Sequence, residues 1–197
     1  MKYLYYMKYL LILLLFSNFI YAQPNINYSG YTNVWVKRKN PNSKSWIPNE
    51  VFSIKKNSAF NKCDKNDLTI LIPDSNKVFN KVNDGYILCY LINNTLDTFL
   101  IDRCDATIFP AETQILVNGI WQKFQISRGS SCGNSYFKSR LPPKSYYTIW
   151  IHRPTEGNNP TLFRLKLNLN NKAYYSNPCS LMLPIEAIQN AGQSIKH

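Results

Sequence analysis

The chain has 197 residues, with 23 Lys and Arg against 11 Asp and Glu, so it carries a formal net charge of +12. A chain of this length builds one domain of ordinary size and buries about 70% of its unfolded surface, so it does not rely on staples as a mini-protein does. The basic residues are scattered as singles and pairs, densest at Lys37-Arg38 and Lys55-Lys56. With no compact basic helix and no interleaved aromatic motif, that distribution argues against a nucleic-acid partner and leaves anionic surfaces as the partners a basic excess favours.

The first 22 residues have the order of a secretory signal peptide: Lys2 and Lys8 with no acid, the apolar run Leu10 to Phe16, then Ala22 before the polar Gln23-Pro24-Asn25. The expectation is a cut after Ala22, a single mature domain over 23–197 with an extended N-terminal lead-in, and export to the periplasm or the outside. The apolar run is short for a bilayer span of about 20 residues, and nothing after it approaches one.

From Val34 the chain reads as short strands. Val34 to Lys37, Val51 to Ile54 and Leu68 to Ile72 are rich in β-branched and aromatic residues. The loop between the first two is marked by Pro and Asn and contains Trp46, which is expected at the surface. Tyr86 to Ile92 is continuously apolar, as the middle of a sheet requires, and Asn93-Asn94 is expected to turn it into a hairpin with Leu96 to Ile101. Asn118-Gly119 joins Thr113 to Val117 and Ile120 to Ile126, the strongest short hairpin signal in the chain. Tyr146 to Ile151 alternates around Trp150. In Leu162 to Leu169 the residues Phe163, Leu165, Leu167 and Leu169 share one face, while Arg164, Lys166 and Asn168 share the other. Asn170-Asn171 turns the chain into Lys172 to Tyr175, and Ile185 to Gln189 forms at most one helical turn. About nine strands separated by Pro, Asn and Gly predict an all-β fold, an antiparallel β-sandwich of immunoglobulin-like type.

The residues from Trp121 onward carry a resemblance. Trp121, the pentapeptide Cys132-Gly133-Asn134-Ser135-Tyr136, Leu141-Pro142, Arg164 and Tyr175-Ser176-Asn177 resemble a group of uncharacterised secreted bacterial proteins. Their C-terminal parts look like immunoglobulin-type or fibronectin-type sandwiches. The resemblance covers the second half of the chain and departs after Asn177, where Pro178-Cys179-Ser180 stands in place of an aromatic and a glycine. It implies a fold and export, and no activity.

An oxidising compartment makes disulfides the default for exported cysteines. Cys63, Cys104, Cys132 and Cys179 are the candidates, with all pairings open, and Cys89, inside the apolar Y-I-L-C-Y-L-I, is the expected free thiol. No two cysteines have C-x-x-C spacing, so no zinc site is expected, and no cofactor is called for.

Catalytic patterns are sparse. His152 is the one internal histidine, and a nucleophilic site needs such a group oriented by a third residue. Asp97, Asp102 and Asp105 cluster in sequence and would suit a polymer hydrolase if two of them converged; ordinary strand-end turns are the preferred account of them. The alternation of oxygen ligands of a calcium loop is missing. Trp35, Trp121 and Trp150 fall within apolar strands and are expected in the core. Tyr31, Trp46, Asn134 and Tyr136 are left as ligand-binding candidates, with the pentapeptide read mainly as a disulfide-pinned turn in which Tyr136 packs inward. The expectation is a non-enzymatic binding or structural accessory of the envelope or the extracellular space, its partner an envelope protein or an anionic glycan. The alternatives are a secreted hydrolase of an extracellular polymer and a basic factor that binds anionic polysaccharide.

Overall fold

The computed structural model of the protein describes residues 30–36, 51–54, 60, 66–74 and 85–192. The signal-peptide reading, Trp46 and Cys63 lie outside the described residues.

Two sheets face each other across one core. The first sheet runs β1 (Tyr31–Thr32), β9 (Ile120–Ser127), β8 (Ala111–Val117), β12 (Asn159–Leu169) and β13 (Lys172–Tyr175), with β14 (Cys179–Leu183) pairing the opening half of β12. The second runs β10 (Tyr136–Leu141), β6 (Phe99–Cys104), β7 (Thr107–Ile108), β2 (Val34–Val36), β11 (Ser145–His152), β5 (Tyr86–Asn93) and β4 (Leu68–Leu71), with β3 (Phe52–Ser53) on β11. A single turn of helix, α1 (Ile185–Gln189), ends the fold. The all-β sandwich expected from the strand pattern is what the chain forms.

Period-two alternation decides what is inside. Phe163, Leu165 and Leu167 of β12, Ile149 and Ile151 of β11, and Cys89 and Leu91 of β5 are fully buried in one cluster fed by both sheets. Such burial is the main favourable term in the fold, at about 25 cal/mol per Å2 of apolar surface. The chain enters by crossing between layers: β1 lies parallel to β9, and after Asn33 β2 lies antiparallel to β11.

The turns follow local chemistry. Asn118 and Gly119 have φ of 51° and 78°, and Asn170 and Asn171 have 50° and 61°, the left-handed values that a two-residue hairpin needs and that Asn and Gly tolerate best. Both hairpins form, with Val117 opposite Ile120 and Leu169 opposite Lys172.

The hairpin expected at Asn93-Asn94 does not form. β5 pairs with β11 and β4, while β6 lies far across the same sheet between β10 and β7. The cause is the Asn93 side chain, which is fully buried. Its Nδ2 shares two N–H groups among the carbonyls of Asp97, Leu141 and Pro142 at 2.7, 3.0 and 2.9 Å, and its Oδ1 accepts from the Thr95 amide and hydroxyl at 3.0 and 2.7 Å. The chain is thereby tied to the β10–β11 connection instead of doubling back.

The Y-S-N segment closes one side of the sandwich. The Ser176 amide donates to the Leu165 carbonyl, and the Ser176 hydroxyl accepts from the Leu165 amide at 3.0 Å. The Asn177 side chain then acts as a strand of one residue: its Oδ1 accepts from the Ile72 amide and its Nδ2 donates to the Ile72 carbonyl, both at 2.7 Å. An amide carries one acceptor and one donor group at the spacing of a peptide unit, so it can finish the edge of β4 where backbone runs out.

Trp35, Trp121 and Trp150 do not sit in the core. Trp35 stands between the buried Val34 and Val36, and Trp150 between the buried Ile149 and Ile151, so both occupy the outer face of their sheet and are half-buried there. Tyr86 joins them, with ring centroids 5.3 Å from Trp35 and 5.8 Å from Trp150. Further along the same face Phe60, Phe52, Tyr90 and Tyr146 make a second apolar cluster around Ile92. These strands carry apolar residues on both faces because both faces are covered.

Candidate functional site

The outer face of the first sheet carries one row of side chains across five strands. Tyr31 of β1 is opposite Ile126 of β9, Ile126 opposite Glu112 of β8, Glu112 opposite Lys166 of β12, and Lys166 opposite Tyr175 of β13. At its β1 end this row becomes the floor of a cleft of about 290 Å3, walled by Phe109, Pro110, Gly129 and Ser127 and reaching Asn168.

Glu112 is the polar centre of the cleft. Its Oε1 accepts from Gln114 Nε2 at 2.6 Å and lies 3.5 Å from Lys166 Nζ. Its Oε2 has no partner among the described residues. Gln114 is held in turn, its Oε1 accepting from Arg164 Nε at 2.8 Å. The Arg164 guanidinium is clamped between Trp121 and Tyr175, 4.1 and 4.3 Å from the ring centroids. Each such contact contributes about 0.5 to 2 kcal/mol, and together they stop the Arg164-Gln114-Glu112 chain from swinging. Glu112 is therefore presented in a fixed orientation, one oxygen bound and one open.

The turn before β10 supports the rim. Gly133–Ser135 is a short 3-10 turn, and the Asp105 amide donates to the Ser135 carbonyl at 2.8 Å. The Tyr136 hydroxyl donates to the Ser130 carbonyl at 2.8 Å and accepts from the Ser130 amide at 2.9 Å, while its ring meets Phe109 edge-on at 5.6 Å.

Of the four ligand-binding candidates, Tyr31 lines the cleft and Tyr136 braces its wall from behind, whereas Asn134 is exposed in the turn and lines nothing. Phe109, Glu112 and Asn168 were not singled out from the sequence. Glu112 and Asn168 look like ordinary outward strand residues, and only the pairing of β8 with β9 and β12 sets them beside Tyr31. The reading of the pentapeptide needs correction on two counts: the Tyr136 side chain is 43% exposed instead of inward, and hydrogen bonds hold the turn where a disulfide was expected.

The disulfide expectation is corrected with it. Among the described residues Cys104, Cys132 and Cys179 are free thiols, as is Cys89, and no two of them lie at bonding distance. Alternation explains part of this: Cys179 points inward from the first sheet, while Cys132 is exposed beside the second. Cys89 is fully buried, as its apolar run predicts, and burial pushes its thiol far above the ordinary range. Burial also pushes the Cys179 thiol up to about 11, with Arg153 nearby opposing the shift.

Reactivity should follow these positions. In a Cys63→Ser background, Ellman's reagent at pH 8 is expected to modify Cys132 within minutes and to reach Cys89 and Cys104 only on unfolding. A thiol raised from 9 to about 11 holds about a hundredfold less thiolate at pH 8, so Cys179 labelling should still climb steeply between pH 9 and 11. Mass spectrometry of the labelled peptides checks this order, and fast labelling of Cys89 in native protein would refute it.

Compared with known proteins, the chain matches no family model, no curated protein and no solved structure. The geometry therefore has to speak for itself.

Asp97 and Asp105 of the hydrolase reading stand at opposite ends of a strand. Asp97 precedes the six-residue β6 and Asp105 follows it, so the two are separated by about 20 Å of strand. Asp102 is 3.4 Å from Lys138, Asp105 occupies a left-handed turn with φ of 50°, and none of the three lines the cleft. His152 is exposed at the end of β11 and rests edge-on against Tyr86. Among the described residues no group of three His, Cys, Asp or Glu could hold a metal ion, and no helix is long and apolar enough to cross a membrane.

Proposed function

We propose that the chain is an exported, non-enzymatic β-sandwich that serves as a binding accessory at the cell envelope or outside the cell. The observation that carries this reading is the cleft at the β1 end of the first sheet, where aromatic walls surround an oriented carboxylate with one open oxygen. Recognition sites have this composition, largely apolar with a few convergent polar groups. Acid-base chemistry would need a second titratable group facing the first, and here the group beside Glu112 is Lys166, already drawn to the same carboxylate. The signal-peptide pattern supports the exported location. The resemblance of the Cys132 to Tyr136 and Tyr175 to Asn177 segments to secreted proteins points the same way, and we read the sandwich as immunoglobulin-like on that account.

Immobilised mature protein, residues 23–197, should retain material from a solubilised envelope or culture-medium fraction. A Tyr31→Ala/Phe109→Ala double variant of unchanged melting temperature should lose that retention. Equal retention by both proteins would overturn the reading, as would turnover of a polymer substrate abolished by His152→Ala.

A further inference from the structure

Resting on that reading, we infer that the cleft takes one neutral sugar ring, as a free hexose or as a unit of a glycan. Three features of the cleft select this class.

The first is the disposition of apolar and polar surface. A pyranose has apolar C–H faces and a polar hydroxyl edge. The cleft offers Tyr31, Phe109, Pro110 and Ile126 for the faces, and the Glu112 carboxylate and Asn168 amide, on adjacent strands, for the edge. Glu112 Oε2 is an acceptor without a partner among the described residues, and the exposed Asn168 amide supplies both a donor and an acceptor. Neighbouring hydroxyls, each a donor and an acceptor, match that pair.

The second is charge. Among the described residues no Lys or Arg lines the cleft, so an anionic ring such as a uronate would meet the Glu112 carboxylate with only Lys166, outside the lining, to offset it. A cationic ligand would compete with Lys166, 3.5 Å from the same carboxylate. The local pair sums to zero charge and favours a neutral guest, even though the chain as a whole is basic.

The third is size. At about 290 Å3 the cleft is at the small end of ligand sites, which span roughly 300 to 1,000 Å3. It suits one ring with a neighbour projecting from its open side, and is too small for a folded peptide.

The test is an amide-resolved NMR titration of mature protein with glucose, galactose, mannose and N-acetylglucosamine, their β1,4-linked dimers, and glucuronate as the anionic arm. The expected result is saturable shifts at Tyr31, Ile126, Ser127 and Asn168 with at least one neutral sugar, and weaker binding of glucuronate. Tighter binding of the dimer than of its monomer assigns the ring to a glycan, and equal binding assigns it to a free hexose. Glu112→Gln, which keeps the Oε1 acceptor, and Asn168→Ala, at an exposed position, should each weaken binding about tenfold without moving the melting temperature, about what one lost hydrogen bond to a bound ligand produces. Absence of saturable shifts with every neutral sugar overturns the inference. So does glucuronate binding above glucose, or affinities unchanged in both variants. Envelope retention that depends on Tyr31 and Phe109 but is not competed by any sugar overturns the sugar assignment alone, whereas retention indifferent to both residues overturns the wider reading.

Discussion

Replacing Asn93 with alanine is expected to lower the unfolding free energy by about 2 to 4 kcal/mol, because it takes the Asn93 donor from the buried Leu141 carbonyl and leaves the Asp97 and Pro142 carbonyls only the Thr95 and Ser145 hydroxyls. Each buried polar group left unpaired costs about 1 to 3 kcal/mol, and the small cavity adds to it. Asn93→Asp should be worse still, since an ionised carboxylate donates nothing to those carbonyls and brings a charge into a fully buried position. Urea denaturation at pH 7 measures both. The Asn93→Asp penalty should shrink as the pH falls toward 4, because burial among carbonyls raises the carboxyl's folded-state pKa above the unfolded value of about 3.9, and protonation between the two returns one donor and removes the charge. A loss under 1 kcal/mol for Asn93→Ala would mean that the β10–β11 connection does not depend on this side chain.

The second large effect belongs to β12. Phe163 is fully buried and lies between Ile115 of β8 and Cys179 of β14. Phe163→Ala removes a ring from the centre of the core and is expected to cost about 3 to 5 kcal/mol. Its neighbour Leu162 faces outward and is 38% exposed, so Leu162→Ala should cost less than about 1 kcal/mol. The contrast between adjacent residues checks the phase of the strand, because a slip of one residue would exchange the two values. Equal losses would contradict the register of β12 with β8 and β14.

Much of this architecture was legible in the residues. β12 shows its inner and outer faces through strict alternation, and the left-handed turns at Asn118-Gly119 and Asn170-Asn171 announce themselves by residue type. The signal weakened wherever a side chain replaced backbone. Asn93-Asn94 looked like a hairpin turn, yet the Asn93 amide is spent on carbonyls as distant in sequence as Pro142. Strands as short as β1 and β7, two residues each, fall below any periodic signal. Trp35 and Trp150 were expected in the core because they stand between apolar residues, and hydrophobicity alone cannot distinguish a second covered face from a first.

The cleft was the least legible part, for the same reason. Tyr31, the pair Phe109 and Glu112, and Asn168 come from three places in the chain and meet only through the pairing of β1 with β9, β9 with β8 and β8 with β12. Each reads alone as a strand or loop residue of no note. Of these Tyr31 alone was singled out from the sequence, as an aromatic near Trp46, and the sheet supplies its companions. The Trp121-Arg164-Tyr175 clamp is a comparable case: Trp121 and Arg164 belonged to the recognisable segment, but their contact, and its link through Gln114 to Glu112, needs three strands in register.

The claim that a partner seats in this cleft is tested most directly by hydrogen–deuterium exchange of the mature protein, alone and bound to the envelope fraction it retains. The account predicts that protection on binding centres on residues 31–32, 109–112 and 126–129, with the pentapeptide turn at 132–135 unchanged. Protection confined to the aromatic face around Trp35, Tyr86 and Trp150, with the cleft exchanging as in the free protein, would contradict it.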